Sequence, residues 1–249
     1  MKCESETVQL LENRVSIRSY SDERVSDETL EAALRAGCRA PTSSNIQAYS
    51  VVVVRDAERK QKLAALTGNQ EHVAAAPVFL AVCADLSRIA RASEIHDRST
   101  EGLGTMEMGL TAVVDASLAG MAIMLAAESI GLGCVMIGGV RNLPLETAEC
   151  LGLPPRAFAV FGMCLGWPKA RPAQKPRFPV EGVVHAERYD ASGCDRVLLR
   201  YDGMLSDHYD AQNRPTDRAS WTRRVADDFS LPRRTHLRES LRTLGLDFS

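Results

Sequence analysis

Three groups of polar residues hold the side chains that could do chemistry. Residues 40–50, APTSSNIQAYS, set Thr42, Ser43, Ser44, Asn45 and Gln47 close together. Such a density of donors and acceptors suits the edge of a polar, planar ligand; the ordinary alternative is a polar surface loop. Near the N-terminus, NRVSIRSY places Arg14, Ser16 and Arg18 at alternate positions. In an extended segment these share one face, and a hydroxyl between two guanidiniums makes a cup for phosphate oxygens. Downstream, QKPRF presents Lys175 and Arg177 on either side of a proline that stiffens the backbone. Either basic pair alone reads as surface charge. With Gly138 and Gly139 at a strand end, the set is what a phosphorylated aromatic heterocycle would require.

Other chemistries lack their signatures. GLGTME (102–107) has no third glycine, so no dinucleotide fingerprint opens a helix, and no P-loop, H-E-x-x-H or G-x-S-x-G is present. The five histidines have no metal spacing and no close cysteine pair exists, so no metal site is expected. Seven scattered cysteines suit reduced, buried thiols in a cytoplasmic protein. A formal charge of −2 argues against a chain built to neutralise nucleic acid. Eight arginines between 214 and 242 face four acids, Asp217, Asp227, Asp228 and Glu239, which reads as a solvated helical arm on a partner subunit. The N-terminus lacks the apolar core of a signal peptide.

The elements that would position these groups follow from patterning. Ser26 with Asp27 and Glu28 marks a helix start, and Leu30, Ala33, Leu34 and Cys38 share its inner face. SVVVVRD (50–56), PVFLAVCAD (77–85), CVMIGGVRN (134–142) and RAFAVFGMCLGWP (156–168) read as strands. Residues 55–66 and 143–153 read as helices, and 86–103 as an irregular flap. Residues 104–130 form an apolar helix. Its core AVVDASLAGMAIMLAA contains Asp115 and falls short of the roughly 20 residues of a membrane span, so it should be buried in a core or a subunit interface. After Pro168, Pro172, Pro176 and Pro179 the composition turns polar. Strands separated by helices suggest one mixed α/β domain.

Five stretches, SIRSYSDE (16–23), APTSSNIQAYSVVVV (40–54), LTGNQEHVAAAPVFLAVCAD (66–85), AAESIGLGCVMIGGVRN (126–142) and FGMCLGWP…KPRFP (161–179), together resemble the FMN-dependent nitroreductase family. The likeness runs from about residue 8 to about 225 and is greatest to its oxygen-insensitive NADPH nitroreductases and NADPH-flavin reductases. It implies an α+β fold, a three-layer sandwich with a central, mainly antiparallel sheet, in an intertwined homodimer. Residues 1–190 would form the FMN-binding domain and 191–249 an arm wrapping the partner. By motif position, Arg14, Ser16 and Arg18 would meet the FMN phosphate and ribityl chain, with Lys175 and Arg177 completing that end. Ser43, Ser44, Asn45 and Gln47 would line the ring or ribityl edge, Gln70 the pyrimidine side, and Ile137, Gly138 and Gly139 the opposite rim.

The resemblance implies ping-pong, two-electron transfer from NADPH or NADH to nitroaromatics, quinones or flavins, with no dedicated catalytic side chain because the chemistry resides in the flavin. Supply of reduced flavin, a specialised biosynthetic dehydrogenase and a flavin-binding regulator are the alternatives. One departure concerns the electron donor. Where the subgroup carries an arginine for the NADPH phosphate, this chain has Gln212, so Arg214, Arg223 or Arg224 would have to serve instead.

Overall fold

The computed structural model describes residues 5–214 and 219–247. The chain divides into two compact units, Met1–Pro172 with Arg234–Ser249, and Ala173–Arg233.

In the first unit the elements run α1 (Glu6–Asn13), α2 (Asp27–Gly37), β1 (Tyr49–Val54), α3 (Ala57–Leu66), α4 (Glu71–Ala75), β2 (Val78–Asp85), α5 (Ser87–Ile95), α6 (Met106–Ser129), β3 (Gly133–Ile137), α7 (Pro144–Leu151) and β4 (Ala157–Gly166). The four strands form one sheet in the order β1-β2-β4-β3, every neighbouring pair antiparallel. That sheet corrects the reading of an α/β domain from strand–helix alternation; the architecture is α+β. All eight residues of β2 are buried, because both faces of the sheet are covered. Phe79, Ala81 and Cys83 point into a core with Leu63 of α3, Val73 of α4 and Leu151 of α7. Val78 and Leu80 point the other way, onto Leu30 and Ala33 of α2 and Ile123 and Met124 of α6. Helix, sheet and helix are therefore the three layers.

Local chemistry sets the boundaries. The Ser26 side chain accepts from the Thr29 N–H and caps α2 as expected. β3 stops at Ile137, and Gly138–Arg141 turn into a single 3-10 turn, so the strand is shorter than 134–142. The stretch 86–103 is not an irregular flap. It begins with α5, because Asp85 accepts from the Ser87 N–H at 2.9 Å and Ala90 is buried. Helix α6 has 24 residues and is long and apolar enough, by length and composition alone, to cross a bilayer. One side of it nonetheless lies inside the unit, where Ala112, Ala116, Ala119, Ile123 and Ala127 are buried. The opposite side exposes Met106, Leu110, Val114 and Leu118, spaced four apart. The final helix of the first unit, α10 (Leu237–Thr243), brings Leu241, with Leu246 just beyond it, to Phe158 and Ala112.

The second unit contains α8 (Cys194–Asp210) and α9 (Trp221–Asp228). Asp202 of α8 accepts from the main-chain N–H groups of Trp221 (2.6 Å) and Thr222 (3.0 Å) and from the Ser220 hydroxyl (2.9 Å), so its carboxyl caps α9. Phe178 stacks with Tyr201 at 4.2 Å and meets Trp221 edge-on at 4.9 Å, forming a small aromatic core.

Gly37 fixes the approach of α2 to α6. A Cβ there would lie 2.1 Å from Ile123 Cγ1 and 2.9 Å from Ile123 Cα. Gly37→Ala gains at most about 1 kcal/mol of helix propensity, but overpacking against backbone costs about 1–3 kcal/mol. We expect net destabilisation, read as a lower urea midpoint at unchanged slope.

Candidate functional site

The loop from α2 into β1 holds an unusual backbone. Ser44, Asn45 and Gln47 have φ of 47°, 56° and 53°, a left-handed conformation that costs roughly 1 kcal/mol or more for each non-glycine residue. Ile46 turns inward to the core beside α6, whereas Ser43, Ser44, Asn45 and Gln47 are exposed. One apolar side chain thus anchors the loop while four polar ones face outward.

Two groups hold this loop from within. Asp115 of α6 is fully buried, and its two carboxyl oxygens accept from the main-chain N–H groups of Ser43 and Ala48, each at 3.0 Å. Arg88 of α5 donates to the main-chain oxygens of Gln47 (2.9 Å) and Tyr49 and to the Ser50 hydroxyl (2.7 Å). Arg88 is in turn paired with Asp85 at 3.3 Å. Burial pushes the Asp85 carboxyl up, but hydrogen bonds from Ser50 and Ser87 and the Arg88 charge outweigh it and hold it below the usual value. Neither Asp115 nor Arg88 is among the site residues read from the sequence. The signal for the first was present, an acid alone in an apolar run.

The arginine segment is partly engaged within the fold. Ile17 is buried on Gly133, and its N–H donates to the Cys134 carbonyl at 3.0 Å, so the segment lies along β3. Arg18 is exposed and makes no side-chain hydrogen bond or ion pair among the described residues. Ser16 is half-buried two positions before it. Arg14, by contrast, donates to Glu128 of α6 at 3.2 and 3.3 Å, and Glu128 is almost fully buried. Arg14 caps the end of α1 with an extended backbone (φ −67°, ψ 142°), and its guanidinium is engaged by Glu128 of α6. Near Arg18, the His72 Nε2 atom is buried without a hydrogen-bond partner among the described residues. Burial, then the Arg18 charge, lowers the basicity of that imidazole.

The opposite rim is a close contact of main chains. A Cβ on Gly139 would lie 2.4 Å from the Thr67 carbonyl oxygen and 2.8 Å from Gln70 Nε2, so glycine is required there for packing. Gln70 donates to that same carbonyl at 2.7 Å, which fixes its side-chain amide. A Cβ on Gly138 would have the end of the Arg141 side chain as its nearest neighbour, at 3.4 Å, an ordinary contact. The Ile137 side chain is buried in the core, so only its backbone is left to face a ligand.

The remaining basic residues belong to the second unit. Lys175 donates to the Tyr209 hydroxyl at 2.8 Å and lies 5.2 Å above that ring. Arg177 is exposed and bonds the main-chain oxygens of Lys175 and Pro176. Gln212 donates to the His208 carbonyl at 2.8 Å, closing the end of α8. Arg224 is paired with Asp228 at 3.2 Å, whereas Arg223 is exposed. Arg214 is exposed, and Asp217 lies outside the described residues.

No cluster of metal-ligating side chains occurs among the described residues. Of the described cysteines, Cys83, Cys134 and Cys164 are buried, with burial pushing the Cys83 and Cys164 thiols up to about 12. Cys38 and Cys194 are exposed, so only part of the set is core.

Comparison with known proteins bears directly on this arrangement. A nitroreductase family profile matches residues 11–167, and the profile of that family's C-terminal domain matches residues 175–249. The chain is 37% identical to an FMN reductase [NAD(P)H] of Bacillus subtilis over 97% of its length and 98% of that protein. It is also 37% identical to an oxygen-insensitive NADPH nitroreductase of Salmonella typhimurium, covering 95% and 93% of the two chains. Among solved structures, NADPH:FMN oxidoreductase from Vibrio harveyi complexed with NAD+ superimposes with a TM-score of 0.87 at 33% identity, covering 98% of this chain and 99% of that one.

Proposed function

Because the chain belongs to the nitroreductase family, we propose that it is an FMN-dependent NAD(P)H oxidoreductase that carries two electrons to electron-poor small molecules such as nitroaromatics, quinones and free flavins. The observation that carries this reading is an exposed Arg18 with no partner among the described residues, in the same unit as a loop that exposes Ser43, Ser44, Asn45 and Gln47. Bound FMN would supply reversible two-electron chemistry.

The donor set fits such a group. Arg18, with the Ser16 hydroxyl, would neutralise the phosphate. Ser43, Ser44, Asn45 and Gln47 would bond the ribityl chain and ring edge, the fixed Gln70 amide the pyrimidine side, and the main chain of Ile137, Gly138 and Gly139 the far rim. Lys175 and Arg177 would add positive charge at the phosphate end and toward the electron-rich reduced ring. Arg14 instead holds α1 to α6.

The exposed stripe of Met106, Leu110, Val114 and Leu118 supports a homodimer built on α6, with the second unit wrapping the partner. Tyr189 (80% exposed) and Leu199 (69%) would then be covered there. The setting is cytoplasmic, in keeping with free thiols. NADPH is the preferred donor through Arg223 and Arg214, since Arg224 already has Asp228.

Anaerobic NADPH should bleach the flavin spectrum of the purified protein; a bound flavin that stays oxidised overturns the enzyme reading. Arg18→Ala should raise the FMN dissociation constant about tenfold, the lower end of a charge-assisted contact because the residue is exposed. Unchanged affinity would remove it from the site.

Sedimentation at low micromolar concentration should find no folded monomer, and Leu110→Glu should shift the equilibrium toward dissociated chains. A stable, flavin-loaded monomer would contradict the α6 interface.

The NADPH/NADH ratio of kcat/KM should fall in Arg223→Ala and in Arg214→Ala and shrink with salt in the wild type, because exposed charge contacts are screened. A ratio constant across both variants would make the arm's arginines structural.

A further inference from the structure

We propose that Asp115 is the positioning residue that preorganises loop 43–48 for the cofactor. This rests on the FMN reading above and assigns a task to a side chain that no motif contains.

The geometry is that of a staple. Asp115 lies near the middle of α6 and is 0% exposed. It has no ion-pair partner among the described residues. A carboxyl in such a place is costly to bury, and a small apolar residue would continue the pattern of Ala112, Ala116 and Ala119 at less expense. Its two oxygens reach the N–H groups of Ser43 and Ala48 at 3.0 Å each, the two ends of one loop. The left-handed residues Ser44, Asn45 and Gln47 all lie between those two anchors.

That placement separates what the carboxyl does from ordinary core packing. A left-handed stretch of serine, asparagine and glutamine relaxes toward commoner backbone angles unless its ends are fixed. With both ends bonded to one rigid helix, the outward-facing side chains are held in place before a ligand arrives. Less of the binding free energy is then lost to ordering the loop. Arg88 holds only the β1 end, through the Gln47 and Tyr49 carbonyls. The helix-side end at Ser43 depends on Asp115.

The test uses Asp115→Asn, which keeps the shape but turns an amide donor toward one of the two N–H groups. FMN affinity is measured by fluorescence quenching on flavin-stripped protein, alongside amide exchange at residues 43–48. The dissociation constant should rise about tenfold or more, as for a buried donor left without its acceptor, and the Ser43 and Ala48 amides should lose protection while the strands keep theirs. A structural role alone would instead lower protection throughout the unit. Should Asp115→Asn fail to fold, Ser43→Pro against Ser43→Ala decides. Proline removes the N–H that Asp115 binds, and Thr42 already has the extended backbone (ψ 154°) that precedes proline. Weaker FMN binding in Ser43→Pro than in Ser43→Ala supports the staple; equal affinity in that pair, or wild-type affinity in a folded Asp115→Asn, overturns it. A wild type that binds no FMN would sink the functional reading instead, and amide protection would still judge the staple.

Discussion

A central strand buried along both faces dictates much of what surrounds it. β2 has no exposed residue from Val78 to Asp85, so its side chains need apolar cover on two sides. α2 and α6 provide one cover, and α3, α4 and α7 the other. With both faces of the sheet occupied, polar groups that could meet a ligand are left to the strand ends and the margin. The loop entering β1, the turn leaving β3 and the extended segment along β3 are such places, and they are where the polar candidates of the first unit lie.

The sheet and its helix layers were readable because burial imposes a pattern. The β-branched run of β1, the apolar run of β2 and the Ser26 cap each carry a local signal that the structure repeats. Antiparallel pairing was not readable from alternation of strands and helices, since connection order does not fix strand direction. It came from family resemblance. The start of α5 is hidden for a related reason: the carboxyl that accepts from its first N–H belongs to Asp85, the polar last residue of β2, and its N-cap is Leu86.

The candidate residues divide the same way. The outward-facing loop and the exposed Arg18 announce themselves by residue type. Arg14 has a partner that its spacing does not announce, because Glu128, more than a hundred positions away in sequence, binds its guanidinium. Arg88 and Ile137 are the reverse pair. An exposed-looking arginine on a polar stretch is tied to the loop backbone, while an apolar rim residue turns into the core. Long-range partners decided both outcomes, and no window of neighbouring residues contains them.

The position of α10 bears on how the protein is made. Leu241 and Leu246 complete the core around Phe158 and Ala112, yet they are synthesised after the whole of the second unit. During translation that end of the first unit therefore remains unplugged while the 61 residues of the second unit emerge. Its closure waits for residues 237–246 to leave the ribosome. Until then the apolar surface awaiting α10 is open to solvent, and to any chaperone that recognises it.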